Sequence, residues 1–235
     1  MLDLFGKAIL DFQTNNSPEN IITETSISEE DEMSVAYLFR TFSEMPQLEQ
    51  KALELCFGKV LDVGCGAGSH SLYLEKNLNL DVLSIDISAN ATEACRLRGL
   101  KNVKLVSILE MDSKNDKFDT ILLLMNGTGI FGTLSETDKY LQKLKSLLKP
   151  NGQILIDSSD LIYMYDQNED ESYFVPSDNY YGELSFTIKY KGEIEDTFPW
   201  LYLDYNTLQN AAKANGLQCE FIQNGQHFDY LAKLY

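Results

Sequence analysis

The sequence predicts an α/β fold with a doubly wound, mostly parallel sheet and helices on both faces. Three observations carry this. Strand-length apolar runs alternate with helix-spaced patterns from about Lys59 to Asp157, a glycine-rich loop joins the first such run to the first such helix, and the chain closes on a hairpin.

The runs KVLDV, DVLSI, VKLV, FDTILLLM and QILID are each short and apolar enough for a buried strand. Between them SHSLYLEKNL, SANATEACRLRG and the stretch from Thr133 to Leu148 repeat at helical spacing. Thr133 and Glu136 form a T-x-x-E capping signal for that last helix, and Lys149-Pro150-Asn151-Gly152 is expected to close it. Near the end NTLQNAAKANG reads as a helix capped by Asn206 and stopped by Gly216. LQCEFIQ and HFDYLAKLY then fold back around Asn224-Gly225, so the final strand runs antiparallel to the others.

Two segments stand outside this pattern. Residues 1–57 read as a helical cap: an amphipathic start through Leu2, Phe5, Ile9 and Phe12, then a helix around Tyr37, Leu38 and Phe42 entered through the acidic run Glu29 to Glu32. Pro46 breaks it, leaving Leu48, Leu53 and Leu55 for a further short helix. Residues 58–235 form the main domain, interrupted at about 160–205 by a tyrosine-rich, acidic insertion in which ELSFTIKY, KGE and DTFPWLYLDY read as a β-hairpin.

Composition removes several classes of function. With 19 Lys and Arg against 36 Asp and Glu the chain carries −17, and such a surface repels phosphate backbones, so nucleic acid is not expected as a partner. No apolar run is long enough for a membrane helix, and the first residues carry no basic leader, so the expected compartment is cytoplasmic. Cys56, Cys65, Cys95 and Cys219 form no CxxC pair and read as reduced thiols. Two histidines and no HExxH or Cys/His cluster leave no metal site expected.

The segment with the most chemical content is Val60-Leu61-Asp62-Val63-Gly64-Cys65-Gly66-Ala67-Gly68-Ser69-His70. An acid at the end of a buried strand is followed by three alternating glycines and a helix start. Glycine lets backbone turn sharply and approach a ligand, and free amides at the helix start attract an anion. The next strand ends at Asp86, 22 residues beyond Gly64, where a carboxylate can accept the hydroxyl protons of a ribose.

In D-x-G-x-G-x-G followed by an acid after the second strand, the chain resembles the class I S-adenosylmethionine-dependent methyltransferases. The resemblance runs from about Lys59 to Asp157 and resumes in the closing strands. Similarity of the N-terminal and Met-Asn-Gly segments extends to uncharacterised bacterial members of small-molecule type. It implies a seven-stranded sheet in the order 3-2-1-4-5-7-6 with strand 7 antiparallel, and S-adenosylmethionine as cofactor. By resemblance, Asp62, Gly64, Gly66 and Gly68 hold the methionine end of the donor, Asp86 takes the ribose, and Ile87 lies against the adenine. Ser107 and Ile108 stand where the family often has an acid for the adenine amine, a bond that Ser107, Asp112 or backbone carbonyls are then left to make. His70, Met125 and Asn126 complete the expected donor site.

The donor's ammonium, carboxylate and sulfonium lie near one another, which suits Asp62 and the open amides near Ser69. A base is not singled out by spacing. Asn126, His70, His227 beside Asp229, and Asp160 beside Asp157 are the candidates for catalysis, while methyl transfer from a sulfonium depends more on in-line positioning than on acid–base help. The expected acceptor is a small molecule, cationic or amine-bearing, enclosed by the tyrosines and acids of the insertion acting as a lid. The rival readings are an NAD-dependent oxidoreductase and a non-catalytic donor-binding module. The oligomeric state is left open.

Overall fold

Alternate residues of the central strands face opposite helical layers, and this alternation places the core. The computed structural model describes residues 2–235; Met1, the expected start of the cap, lies outside them. The main sheet comprises β3 (Lys59–Val63), β4 (Asp81–Asp86), β5 (Val103–Leu105), β6 (Phe118–Leu123), β7 (Leu148–Ser159), β11 (Cys219–Asn224) and β12 (Asp229–Leu234). Its order is β5-β4-β3-β6-β7-β12-β11, parallel except that β12 runs antiparallel to both neighbours, as the sequence predicts. Leu61, Val63, Ile121, Leu123, Ile154 and Ile156 face α5 (Thr137–Leu147) and α6 (Tyr205–Ala214). Val60, Val82, Leu122 and Leu155 face α2 (Gln47–Glu54) and α3 (Ser69–Lys76).

The remaining helices, α1 (Leu4–Gln13) and α4 (Ala89–Leu97), pack on each other through Leu4, Ala8, Ile9, Ala91 and Ala94. Asp3 fixes the entry of α1: its carboxylate accepts from the Gly6 amide at 3.0 Å, the Ser88 hydroxyl at 2.7 Å and Asn90 Nδ2 at 3.0 Å. The first helix is thereby tied to the residues just after Asp86.

The N-terminal segment departs from the all-helical expectation. The acidic run lies in an antiparallel hairpin of β1 (Ile21–Thr25) and β2 (Ser28–Met33), and β1 pairs on its other side with β8 (Glu183–Tyr190) of the insertion. With β9 (Glu193–Ile194) and β10 (Phe198–Leu201) these strands make a second sheet, ordered β10-β8-β1-β2. Within this sheet Lys189 on β8 reaches Glu24 and Glu30 and answers part of the acidic charge. The expected helix around Tyr37 and Phe42 is reduced to two 3-10 turns, Val35–Phe39 and Phe42–Glu44.

Three helix ends also differ. Thr133 opens a 3-10 turn before α5 and makes no side-chain capping bond. Lys149 to Gly152 lies within β7, where a register shift against β6 and a left-handed Asn151 absorb the turn. The cap of α6 is Asp204, whose carboxylate accepts from the Thr207 amide at 3.0 Å, and not Asn206.

Candidate functional site

Parallel strands gather their C-terminal ends at one edge, and β3, β4, β6 and β7 end there around the glycine loop. Gly64, Gly66 and Gly68 have φ of 70°, 52° and 78°, the left-handed region that glycine enters without a Cβ clash. At Gly66 the nearest atom to an added Cβ is Ile9 Cδ1 at 3.9 Å, whereas at Gly68 Leu100 Cδ1 would lie at 2.6 Å. Gly66 thus borders open space and Gly68 is packed against α4.

Asp86 sits beside that open space. Its two oxygens accept from the Gly66 and Ser88 amides, each at 2.9 Å, which orients the carboxylate and leaves further lone pairs free. Burial pushes its pKa up while those amides pull it down. The next residue, Ile87, is 79% exposed, an apolar shelf at the strand end. Asp62 is buried beneath the loop and accepts from the Ser71 hydroxyl at 2.6 Å, with Ser84 Oγ 2.7 Å from the same hydroxyl. Burial raises its pKa and the nearby His70 opposes that. On the far side Arg40 is buried, paired with Glu49, and its Nε has no partner among the described residues.

Residues 58–201 match the model of a methyltransferase domain. That span is more than half the chain. The chain belongs to the S-adenosylmethionine-dependent methyltransferases. It is 42% identical, with a TM-score of 0.90 over 99% of this chain and 94% of the other, to a S-adenosylmethionine-dependent methyltransferase from Bacteroides fragilis crystallised with S-adenosyl-L-homocysteine. An uncharacterised protein of Rickettsia prowazekii is 33% identical over 52% of this chain and 50% of its own length. A phosphoethanolamine N-methyltransferase of Arabidopsis thaliana is 28% identical over 42% of this chain and 20% of its own. The chain thus spans half or less of the length of these curated relatives.

At its strand ends this member of the family offers an exposed apolar shelf at Ile87, an oriented carboxylate at Asp86 and open space over Gly66. Ser107 and Ile108 fit less directly. The Ser107 hydroxyl accepts from the Leu109 amide at 3.3 Å as the cap of a 3-10 turn, and Ile108 is buried in the core.

The catalytic candidates separate on geometry. His70 is buried with Nε2 2.6 Å from Glu49 Oε2, hydrogen-bonded onto the Arg40–Glu49 ion pair. Burial pushes Glu49 up, but His70 and Arg40 more than offset this and leave it below its ordinary value. Asn126 is tied to the scaffold: its Nδ2 donates to the Leu201 carbonyl at 3.3 Å and its Oδ1 accepts from Ser158 at 3.1 Å. Asp160 caps a 3-10 turn and accepts from the Tyr181 hydroxyl at 2.7 Å. His227 is exposed, its backbone amide donating to Asp229 at 2.8 Å. The structure therefore spends three of these four side chains on internal bonds.

Sequence reasoning passed over Arg40, Glu49 and Ser71, since nothing in spacing links α2 to the helix after the glycine loop. It also undervalued Tyr37 and Asp157. Burial raises the Tyr37 phenol, Arg40 opposes this, and the charges of Glu49, Asp229 and Asp157 add to the rise. Tyr202 is pushed up to about 12 by burial, with Tyr163 and Asp157 adding to it. Tyr163 in turn stacks on Phe228 at 4.4 Å. Three other tyrosines of the insertion, Tyr180, Tyr181 and Tyr190, bond instead to Asp204, Asp160 and Asp11.

Proposed function

We propose that this chain transfers a methyl group from S-adenosylmethionine to an amine-bearing small molecule by direct in-line displacement. The observation that carries the reading is the aromatic rim at the strand ends, with the buried carboxylate of Asp157 beneath it. The charge of Asp157 is felt at both Tyr37 and Tyr202, the Tyr163–Phe228 stack is 45% and 61% exposed, and one face of the Tyr37 ring already holds the Arg40 guanidinium 4.0 Å from its centroid. Ring faces next to carboxylates favour a cationic or amine-bearing guest over a neutral one.

When bound, the donor supplies a sulfonium methyl carbon open to a nucleophile. The residues around it act by holding and drying. Asp86 would accept from the ribose hydroxyls, Ile87 would cover the adenine, and the Gly64–Gly68 backbone would follow the methionine end, with Asp62 supporting the loop from below through Ser71. On the acceptor side an amine drawn in as its ammonium ion first releases a proton to solvent, since only a free lone pair can attack, and the rim aligns it with the methyl while excluding water. His70, Asn126 and Asp160 are not assigned as bases, and the proton leaves the product amine to solvent.

In this reading residues 58–235 form the catalytic domain. The lid is the irregular part of the insertion, about 161–182, with exposed Tyr173, Phe174 and Val175. Titration with S-adenosylhomocysteine and turnover assays on a panel of primary amines, secondary amines and neutral alcohols test the proposal. Donor turnover with amines alone supports it; preference for the neutral alcohols refutes the charge argument, and binding without turnover on any acceptor refutes catalysis.

A further inference from the structure

The loop leaving β6 places two successive non-glycine residues in the left-handed region, Met125 at φ 66° and Asn126 at φ 61°. That conformation is disfavoured for a residue with a Cβ, and it persists only where neighbouring groups hold it. Here the neighbour is Asp157 at the end of β7. Its Oδ2 accepts from the Met125 amide at 3.0 Å and its Oδ1 from the Gly127 amide at 2.8 Å, so one carboxylate spans the turn. The loop continues to Ile130, whose Cδ1 lies 3.1 Å from where a Cβ on Gly64 would stand. It therefore abuts the glycine loop of the donor site.

Asp157 is buried and makes no ion pair with any described residue. A buried carboxylate without a countercharge is costly, and its two N–H bonds are what offset it. An asparagine of the same size has only one acceptor oxygen, so it would turn an N–H group toward one of those amides.

We propose that Asp157 is a positioning residue for methyl transfer: its carboxylate clamps Met125 and Gly127 in a left-handed turn and so sets the loop against the donor site. This rests on donor binding at the glycine loop and is independent of the acceptor's identity. The groups facing the carboxylate from the surrounding elements are Glu49 on α2, Tyr37 before it, Tyr202 after β10 and Tyr230 on β12. Burial pushes Asp157 up to about 6, the Gly127, Asn126 and Met125 amides pull against this, and the Glu49 charge adds to the rise. On protonation one oxygen becomes a hydroxyl facing an amide donor, and the clamp loosens.

The experiment follows the backbone amides of Met125 and Gly127 by NMR in the full chain from about pH 5 to about pH 8, beside S-adenosylhomocysteine affinity over the same range. The two amides should titrate together near pH 6, with affinity falling several-fold on the acid side. The Gly66 amide, which reports on Asp86, separates that group's titration from this one. Asp157→Asn should bind S-adenosylhomocysteine more weakly and lose that acid limb. Adding Met125→Gly to it should restore part of the affinity, because glycine takes the turn unaided. Amides that do not titrate, or a folded Asp157→Asn protein binding as tightly as the parent, would overturn the proposal. Should the variant not fold, the parent decides through both readouts: the two amides must titrate and the S-adenosylhomocysteine affinity must fall with them.

Discussion

Glu49 Oε2 lies 2.6 Å from His70 Nε2, and the same carboxylate pairs with Arg40, so α2 and the helix after the glycine loop are joined by a buried hydrogen bond onto an ion pair. Removing one member strands the others in a dry interior. Glu49→Gln should therefore cost about 3 to 5 kcal/mol of stability in chemical denaturation. Because the folded carboxyl is held below its ordinary value, its contribution is present above the unfolded-state pKa and is lost as pH falls through the folded value. Equal stability of parent and variant at neutral pH would mean that the cluster is not a structural tie.

Asp86 receives two backbone amides and stands next to an exposed apolar residue, an arrangement that orients a carboxylate toward a diol. Asp86→Ala removes charged acceptors from the ribose and also frees the Gly66 and Ser88 amides. S-adenosylhomocysteine affinity should drop by roughly 1 to 3 kcal/mol per lost charged bond. An unchanged dissociation constant by calorimetry would remove the ribose assignment.

Gly66 and Gly68 look equivalent in the sequence but differ in their surroundings. Gly68→Ala would drive a Cβ to 2.6 Å from Leu100 Cδ1 and 2.9 Å from Cys95 Sγ, so the expected result is lowered thermal stability. Gly66→Ala meets only Ile9 at 3.9 Å, so its main effect should be weaker donor binding from the strained φ and the filled space, with a smaller change in melting temperature. Melting curves with and without S-adenosylhomocysteine separate the two outcomes.

The main sheet was legible because each strand carries its own apolar run and the glycine loop and the Asn224-Gly225 turn mark where the chain changes direction. The second sheet was not. Its pairing of Ile22 with Lys189 joins residues 167 apart, and the local signal of Glu29 to Glu32 favoured a helix start until Lys189 supplied the opposing charge. The strand-loop-helix unit that carries the proposed donor site was legible through the spacing of Asp62, the glycines and Asp86. The bonding partners of His70 and Asn126 were not legible, because sequence gives a side chain's neighbourhood but not its partner. Only the fold shows His70 turned to Glu49 and Asn126 to Leu201.

The insertion calls for a narrower test than its outright removal. Its strand β10 carries Trp200, whose ring lies where a Cβ on Gly129 would stand, while the Leu201 carbonyl accepts from the Thr128 hydroxyl at 2.9 Å. Leu201 and Leu203 are fully buried, so replacing all of residues 160–205 would break the core and the loop beside the donor site together. Residues 166–178 are different: they are mostly exposed, and two of their acids bond locally, Asp170 to the Ser172 hydroxyl at 2.6 Å and Asp178 to the Ser177 hydroxyl at 3.0 Å. Replacing 166–178 with a short Gly-Ser linker should leave the melting temperature and S-adenosylhomocysteine affinity nearly unchanged, since neither core nor glycine loop is touched. If this stretch covers the acceptor, kcat/KM for an amine substrate should fall by about tenfold or more, mostly through KM, as a lost lid weakens capture and admits water. Full activity after the replacement would show that the acceptor is held by the rim of Tyr37, Tyr163, Tyr202 and Phe228 alone.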